Sequence, residues 1–591
     1  MANQVYFNGN ILTVPGAYSA IDTSGIETKS ELSGLKTLAL IGECTGGEPG
    51  AVQFFSDPVN ARQVLKSGDL LKACEKAWNP VTSTKEGVDI GGANIIACIR
   101  SNQATKSELK IFKDFSAELP QLVFQSKDWG KDNNHQIKIQ NGTVSGTKKL
   151  TVYDQINDSY ETYDNLGQVF GLAYTGEKAY AELNITRDAA GVFHFQTKIG
   201  DTVEDAEEDI DITLDTNIFK TMRAFLSELQ SYENYRMVIP NRYNTRIKVN
   251  EFDLVLGKNI KATGDDSIFN VTAVYADMYY NLTLNSSLVE LYTFDRSQGE
   301  IDNIENYISL TGGTEGQSPL SWVKFFDSLS GFDIDYIVPL SDDKSIHAEL
   351  ASHVNICSGT MGRERRGVVG GMNGETVEET VQRAHEINTS RIQVVHGGFY
   401  DVNSNGELEL YPPYILAAQH AGRAIFLPEG ESATHDVYRM SSPETQLSAD
   451  EITRLLQGGC LAFEYVLSGN SATAAYVRLV RDLTTDLVNT DSVHVERATG
   501  QLADSLNKEI RKELDKMLTG KRMTSTTLVS AKNRVLSILQ ERMRNGYING
   551  YKSVALSNSN GVTYVHYGVA AAEPNNFTLI TAHYYSQDLV A

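Results

Sequence analysis

Residues 495–522 read VERATGQLADSLNKEIRKELDKMLTGKR, and this stretch decides how the C-terminal part of the chain folds. Its large aliphatic residues recur every four positions, which is the spacing of one apolar helix face. These residues are Leu502, Leu506, Ile510, Leu514 and Leu518. Gly520 then provides a helix end. The pattern predicts a long amphipathic helix that packs one face against another element.

A second amphipathic helix is predicted in residues 525–546, STTLVSAKNRVLSILQERMRNG, with Ser525 as N-cap and Gly546 just beyond the C-cap. Three β-rich runs follow: YKSVAL at 551–556, VTYVHYGVAA at 562–571 and FTLITAHYY at 577–585. We expect both helices to pack on the sheet that these runs form. A strand so near the chain end leaves an open edge, which proteins either cover or use for pairing.

Length and charge limit the classes of protein that fit. With 591 residues the chain is too long for one core, and three to five domains are expected. No run approaches the roughly 20 apolar residues of a membrane span, and the N-terminus lacks the features of a signal peptide. The net charge of −23 argues against a nucleic-acid partner, because binding phosphates requires an excess of Lys and Arg. We therefore expect neither membrane insertion nor nucleic-acid binding.

The five cysteines are scattered along the chain without a CxxC pair, and most lie in apolar runs. They are Cys44, Cys74, Cys98, Cys357 and Cys460. This distribution is typical of buried thiols in a reducing compartment, and it does not favour a metal or redox site.

Residues 1–25 combine aromatic and β-branched residues with Gly and Pro, too few to form a core and too apolar for a solvated tail. Fully extended, ~20 residues reach roughly 65 Å, whereas a compact body of this size has a radius of gyration of about 25 Å. The segment can therefore cross to a neighbouring chain or add a strand to its own sheet. The residues leave both arrangements open.

Strands alternate with helices in residues 26–115 and again in 306–465, which predicts parallel βαβ units. In the first of these parts LKTLALIG (35–42) and ANIIACIR (93–100) are strands, and a helix begins at Asp57-Pro58 and runs to Trp78. Because a different kind of sequence separates these two parts, we predict that both contribute to one α/β body.

The interruption consists of a β-rich insertion, 116–203, and a second inserted α+β unit, 204–305. Within the second unit the acidic run EDAEEDIDI (204–212) reads as a solvated loop, and IFNVTAVYADMYYNLTL (268–284) reads as strands. The predicted fold class is therefore mixed α+β and multidomain: an α/β body interrupted by β-rich insertions, a C-terminal helix-plus-sheet domain in 466–591, and extended terminal arms.

No catalytic constellation is found in the sequence. The glycines of GGMNGE (370–375) precede a helix where an anion could bind, but they lack the GxGxxG register, and a tight turn explains them better. Asp333 and Asp335 have no His or Glu at metal-ligand spacing, which favours a solvated loop. CTGGEPG (44–50) lacks the Lys-Ser/Thr of a P-loop. We predict no catalytic, cofactor-binding or metal site, and no enzyme.

Several short segments, spread over nearly the whole chain, match one known family in the same order. They are VPGAYSAIDTSG at 14–25, ALIGECTGGEPG at 39–50, KDWGKDNNHQIKI at 127–139, LTGGTEG and SWVKFF within 310–326, IVPLSDDKSIHAEL at 337–350, YPPYILAAQHAGRA at 411–424 and VRLVRDLTTD at 477–486. Together these segments resemble the tail sheath proteins of contractile-tailed bacteriophages.

The resemblance implies that both chain ends are arms that add strands to the sheets of neighbouring subunits. Residues 1–25 and about 577–591 are then the arms. The residues expected to make the intersubunit contacts are Val5, Phe7, Ile11, Val14, Tyr18, Leu579, Ile580 and Tyr584.

The implied function is mechanical. Sheath subunits form a helical tube around an inner tail tube in a metastable extended state, and contraction drives the tube through the host envelope. The implied partners are further copies of the chain, the tail tube protein, and baseplate and tail terminator proteins, in a virion assembled in the host cytoplasm. No cofactor is implied. The sheath of a phage-derived bacteriocin or other contractile injection system is an alternative, and a Rossmann-like enzyme is a remote one.

One helix is a candidate for contact with the inner tube. Lys508, Arg511, Lys512 and Lys516 concentrate positive charge on the helix within 497–519, although the chain as a whole is acidic. A solvated helix face is the alternative interpretation.

Overall fold

The computed structural model describes residues 5–7, 10–12, 36–113, 118–241, 243–264, 267–467, 475–559 and 561–584, with backbone alone for the first two ranges. Strands β1 (Val5–Phe7) and β2 (Asn10–Leu12) pair with each other in antiparallel fashion. Among the described strands they have no other neighbour. The described residues 5–7 and 10–12 therefore do not extend a larger described sheet, and the pairing of the N-terminal segment with a neighbouring chain remains a prediction.

The next part of the chain contains the first elements of the α/β body. These are β3 (Thr37–Gly42), β4 (Val52–Phe55), α1 (Pro58–Leu65), α2 (Asp69–Trp78), β5 (Val81–Ser83) and β6 (Ile95–Arg100). Strand β7 (Lys106–Ile111) follows them and belongs to a sheet of the inserted segments. The strands predicted in residues 35–42 and 93–100 are thereby confirmed.

The single helix predicted from Asp57 to Trp78 is wrong, because two helices occupy this range. Its start is confirmed, since the Asp57 carboxylate accepts the Asn60 N–H at 2.9 Å. The chain then turns at Lys66 and Gly68, whose φ angles are 60° and 107°. A Cβ on Gly68 would lie 2.7 Å from the Cys44 Cα. A left-handed backbone and this close approach end the first helix, whereas the apolar spacing alone continues.

The inserted segments form mainly antiparallel sheets. Their strands are β8 (Leu122–Trp129), β9 (Gln136–Asn141), β10 (Lys148–Asp154), β11 (Ser159–Leu166), β12 (Gln168–Tyr174), β13 (Tyr180–Arg187), β14 (Phe193–Gly200), β15 (Glu207–Thr213), β16 (Tyr235–Val238), β17 (Val255–Asn259), β18 (Phe269–Thr272), β19 (Val289–Phe294) and β20 (Ile304–Ser309). Their helices are α3 (Met222–Leu229) and α4 (Val274–Asn285), with 3₁₀ turns at Lys131–Asn133, Val249–Glu251 and Arg296–Gln298.

Two apolar cores hold the inserted segments together. One core draws on residues between 169 and 276, and the other draws on residues 122–166 and 274–310. The boundary suggested by composition, between residues 203 and 204, lies between β14 and β15, which are neighbours in one sheet. We propose instead that the unit with the first core is nested within the unit with the second.

The acidic run 204–212 was expected to be a loop, but six of its nine residues lie in the edge strand β15. Ile210 and Ile212 point into the core, whereas the acidic residues between and before them are exposed. Alternation of apolar and charged residues produces a strand with one solvated face, and charges on an edge strand discourage pairing with other chains.

The strands expected in residues 268–284 are confirmed only for β18, because the remainder forms α4. Val274, Tyr275, Met278 and Leu282 are buried at helical spacing. The Asp253 carboxylate accepts the Val274 N–H at 2.8 Å, which satisfies a donor of the first helical turn. Tertiary contacts here override the strand propensity of aromatic and β-branched residues.

Downstream of the insertions the α/β body resumes. Its elements are α5 (Val323–Leu329), β21 (Tyr336–Pro339), α6 (Lys344–Gly359), β22 (Arg366–Gly370), α7 (Val377–Ile387), β23 (Ile392–Val395), β24 (Phe399–Val402), β25 (Leu408–Tyr411), α8 (Pro413–Phe426), β26 (Val437–Tyr438), β27 (Ser442–Pro443), α9 (Ala449–Gln457), β28 (Cys460–Leu461), β29 (Phe463–Leu467) and β30 (Ala475–Leu479).

One seven-stranded sheet joins the two parts of the body, in the order β28-β23-β22-β21-β3-β6-β4. All neighbours are parallel except β4, which is antiparallel to β6. Helices α2 and α8 contribute to the core on one face, and helices α5, α6, α7 and α9 contribute to the core on the other. The predicted α/β body interrupted by insertions is confirmed, and the sheet is buried on both faces as parallel sheets require.

The C-terminal part contains α10 (Ser492–Val495), α11 (Arg497–Leu518), α12 (Ser525–Arg544), β31 (Ile548–Ser559) and β32 (Val562–Ala571). The apolar faces of both long helices are buried, and the β31–β32 hairpin packs partly against them. The predicted helix pair and its packing on a sheet are confirmed. The N-cap of α12 is Thr524 rather than Ser525, since its side chain accepts the Thr527 N–H at 3.2 Å.

None of the described helices is both long and apolar enough to cross a membrane.

Candidate assembly surfaces

The last described residues leave the C-terminal hairpin without forming a strand. The run 577–585 was predicted to be a third strand of this sheet, but residues 577–584 pair with no strand among the described residues. Leu579, Ile580 and Tyr584 are 94%, 87% and 94% exposed. A strand needs a neighbour for its backbone groups, and none of the described strands lies beside this segment. An apolar segment is therefore presented to the surroundings.

The root of this segment is held against the body. The Asn576 side-chain amide donates to the Glu496 carboxylate at 3.1 Å, and Ser492 donates to Glu573 at 2.6 Å. Glu496 also accepts from Arg481, whose guanidinium lies 5.7 Å from the centre of the Phe577 ring. The segment is thus attached up to Phe577 and leaves the body there.

The hairpin beside this segment has two open edges. Strands β31 and β32 pair only with each other among the described strands, and each is at least ten residues long. A two-stranded sheet of this length exposes a row of backbone donors and acceptors on each outer side. The same subunit therefore carries an unpaired apolar segment and edges to which such a segment can add.

The N-terminal candidates are only partly described. Val5, Phe7 and Ile11 lie in the β1–β2 hairpin, whose backbone alone is described, while Val14 and Tyr18 lie outside the described residues. Their contacts with a neighbour remain a prediction.

The basic residues of α11 face different surroundings. Lys508 pairs with Asp333 and Arg511 pairs with Glu364, both on the α/β body. Lys516 pairs with Glu513 of its own helix at 2.9 Å. Lys512 is exposed and forms no salt bridge with any described residue. Two of the four charges are thus paired with the body, whereas Lys512 and Lys516 are exposed and have no partner on the body among the described residues.

Buried ion pairs join α11 to the body, and sequence reasoning did not find them. Arg497 donates to Asp482 at 2.7 Å, and both side chains are almost completely buried. Burial alone would raise the pKa of Asp482 and lower that of Arg497. The attraction between them outweighs burial, so the pKa of Asp482 falls well below its usual range and that of Arg497 rises. The segment VRLVRDLTTD contains Asp482, but nothing in the sequence indicates its partner.

A second set of ion pairs lies further along α11. The Asp504 carboxylate accepts from Arg366 at 2.7 Å and from Arg391 at 3.0 Å. These two guanidinium groups outweigh the effect of burial and lower the pKa of Asp504. Since Arg366 begins β22 and Arg391 precedes β23, the helix is tied to two strands of the large sheet. Movement of α11 must therefore carry the body with it.

The stretches considered as chemical sites have structural roles. In the GGMNGE turn Glu375 pairs with Arg383 at 2.7 Å, and Thr376 and Glu379 cap α7 reciprocally. Asp335 is partly buried and accepts the Thr37 N–H at 2.9 Å, so the expectation of a solvated loop is wrong for this residue. Asp333 lies in an exposed loop, as expected, and pairs with Lys508. They hold β3 and α11 to the body. Among the described residues, no group of three or more His, Cys, Asp or Glu side chains could hold a metal ion.

The chain is similar over nearly its whole length to proteins of phage tails, although no family model matches it. It is 29% identical over 584 residues to the tail sheath protein of Bacillus phage SP01, covering 98% of this chain and 97% of that protein. It is 28% identical over 540 residues to a putative tail sheath protein of Enterococcus phage phiEF24C, covering 91% and 90%.

The fold is also that of a solved protein. The crystal structure of a sheath tail protein from Listeria innocua superposes with a TM-score of 0.52 at 14% identity, covering 93% of this chain and 97% of that one. The chain is thus similar from end to end to tail sheath proteins of phages, and it shares the fold of a solved sheath tail protein.

Proposed function

We propose that this protein is the structural subunit of a contractile tail sheath. It polymerises as a helical tube around an inner tail tube in a metastable extended state, and it contracts to drive that tube through the host envelope. Its partners are further copies of itself, the tail tube protein, and baseplate and tail terminator proteins. It is assembled in the host cytoplasm and acts in the virion, without enzymatic activity.

The observation that carries the proposal is that one subunit presents both an apolar segment that can add as a strand and a hairpin edge that can receive such a strand. Leu579 and Ile580 lie in an exposed segment, and the β31–β32 hairpin has open edges. A segment of ~8 extended residues spans about 26–29 Å, which is enough to run along the edge of a neighbouring hairpin. Backbone hydrogen bonds then provide affinity, and alternate side chains provide register.

Subunits that are linked in this way form an open-ended polymer. The C-terminal segment and the hairpin edge are different surfaces. Each subunit can therefore add its segment to one neighbour and receive the segment of another. A heterologous contact that does not close into a ring generates a helix. Because the linking segment is extended and leaves the body at Phe577, subunits can change their relative orientation while they stay connected. Contraction then corresponds to a change between two packings of the same connected subunits.

Polymerisation can be tested by negative-stain electron microscopy of the purified full-length chain. We expect tubes at rising protein concentration, either with the protein alone or after addition of the tail tube protein. A truncated variant lacking residues 1–20 serves as a comparison for the N-terminal arm, and we expect it to form fewer tubes. If the full-length chain stays monomeric under all conditions, including the presence of the tail tube protein, the proposed function is wrong.

The proposed contact with the inner tube is restricted to the outer side of α11. Lys508 and Arg511 already have carboxylate partners on the body, so Lys512 and Lys516 are the residues that can meet an acidic tube surface. Attraction between such surfaces mainly accelerates association and weakens as salt is added.

Reversing these two charges tests the contact. We expect Lys512→Glu with Lys516→Glu to change the melting temperature of the monomer only slightly, because both side chains are exposed and only the surface pair of Lys516 with Glu513 is lost. Assembly on preformed tail tubes at low salt is expected to need at least about tenfold more protein. Lys220→Glu, an equally exposed site in the insertions, is the control and should assemble normally. Normal assembly of the double variant would exclude α11 as the tube contact.

A further inference from the structure

Two cysteines that are distant in the sequence meet in the core of the α/β body. Cys74 lies in α2 and Cys98 lies in β6, and their sulfur atoms are 3.3 Å apart. Both side chains are buried, with exposures of 0% and 1%. A disulfide bond has a sulfur–sulfur distance of about 2.05 Å, so the two atoms need to approach by only about 1.3 Å. The two sulfur atoms are therefore already within van der Waals contact, which is the starting point for bond formation.

The other cysteines lack such a partner. Cys44 belongs to the same apolar cluster, but its thiol donates to the Gly46 carbonyl at 3.1 Å. Cys357 lies beside His353, with 3.6 Å between the sulfur and Nε2. Cys460 donates to the Thr380 carbonyl at 3.6 Å. All five cysteines are free thiols in this structure, and among the described residues the 74–98 pair is the one in which the sulfurs of two cysteines are in contact. The other sulfur near Cys357 is that of Met361, at 3.8 Å.

We propose that Cys74 and Cys98 are a latent disulfide that closes when the protein passes from a reducing to an oxidising medium, with a peroxide as oxidant. One sulfur, as thiolate, attacks a peroxide oxygen, the O–O bond breaks, and a sulfenic acid and hydroxide form. The second sulfur attacks the sulfenic sulfur, the S–S bond forms, and the oxygen leaves as water. Overall two thiols and one hydrogen peroxide give one disulfide and two waters, and the two electrons come from the sulfurs.

Hydrogen peroxide suits this site because it is neutral and close to water in size. The surroundings of the thiols also set the rate. Burial, together with the neighbouring sulfur of Cys74, raises the pKa of Cys98, so little thiolate is present at neutral pH. The reaction is slow at neutral pH and faster in alkali, and the thiols persist as long as the medium is reducing.

The position of the bond suggests its use, and this step rests on the proposed function. Strand β3 is the first described strand after the proposed N-terminal arm, and β6 pairs with it in register from Thr37 to Gly42. A pull on the arm is therefore transmitted to β3 and then to β6. A covalent bond between β6 and α2 would hold the strand that supports β3 to the helical layer of the body, in particles that have left the cell.

The test uses the full-length monomer, so that it does not depend on tube formation. The protein is treated with hydrogen peroxide, quenched, unfolded and alkylated, and its free thiols are counted by mass spectrometry. We expect the five thiols to fall to three, a link between the peptides that contain Cys74 and Cys98, and full reversal by a reductant. The rate should rise about tenfold for each pH unit below the thiol pKa.

Variants make the assignment specific. Cys98→Ala should abolish the intramolecular link, whereas Cys357→Ala should keep it and leave two of four thiols free. Five unmodified thiols, a link to another cysteine, or irreversible oxidation of Cys74 would each overturn the proposal. Loss of two thiols without any tube formation would support the disulfide and contradict the proposed function. Tube formation without loss of thiols would contradict the disulfide and support the proposed function.

Discussion

Replacement of Leu579 and Ile580 by Asp is expected to leave the subunit folded and to prevent tube formation. The two side chains are 94% and 87% exposed, so the free subunit loses no packing when they are changed. In the polymer they would lie on a neighbouring hairpin, where charged side chains oppose burial. We expect the variant to need at least about tenfold more protein than the wild type before tubes are seen in the microscope.

A matched control separates this effect from a general change of surface charge. Leu256→Asp changes a leucine that is 72% exposed in the insertions, and we expect it to form tubes like the wild type. Circular dichroism and thermal melting of all variants should show the same folded monomer. If the variant at Leu579 and Ile580 forms tubes at the wild-type concentration, the C-terminal segment is not the link between subunits.

Arg497→Met is expected to cause a large loss of stability. Arg497 is buried, and it is tied to Asp482 through Nε at 2.8 Å and Nη2 at 2.7 Å. Removing it leaves a buried carboxylate without its charged partner. Breaking a buried ion pair in this way costs roughly 3–5 kcal/mol. Urea unfolding should show this loss in the C-terminal domain and in the body, because the pair joins them.

Two further variants test the physical reason. Arg62→Met removes a salt bridge to Glu75 at the surface, where both side chains are partly exposed, and a loss of about 1 kcal/mol or less is expected. The double variant Arg497→Met with Asp482→Asn should lose less unfolding free energy than the two single variants lose in sum, because no buried charge is then left without a partner. If Arg497→Met is no less stable than Arg62→Met, the joint between α11 and the body does not depend on this pair.

Much of the local structure follows from patterns in the sequence. The spacing of Leu502, Leu506, Ile510 and Leu514 defines α11, and these four side chains are buried. Continuous apolar runs predict β3 and β6, which are central strands of a sheet buried on both faces. These elements can be predicted because the burial of one helix face, or of a whole strand, requires apolar residues at regular positions in the sequence.

The errors occur where a neighbour distant in sequence decides the conformation. Residues 274–285 have the composition of a strand but form a helix, because Asp253 caps the first turn and the buried face fits the adjacent core. Residues 577–584 have the composition of a strand and form none, because no strand in the described part of the chain is a partner for their backbone. Local propensity is small compared with burial and with the satisfaction of backbone hydrogen bonds.

The sequence by itself determined the fold class, the amphipathic C-terminal helices, the apolar character of both chain ends and the resemblance to sheath proteins. Only the tertiary structure decided which charges of α11 are neutralised by the body, that Arg497 meets Asp482, and that Cys74 meets Cys98. The physical reason is that periodicity reports which face of an element is buried, whereas it carries no information on what lies opposite. That partner is chosen when distant segments pack together, and the ion pairs, thiol contacts and open edges of this subunit all depend on that choice.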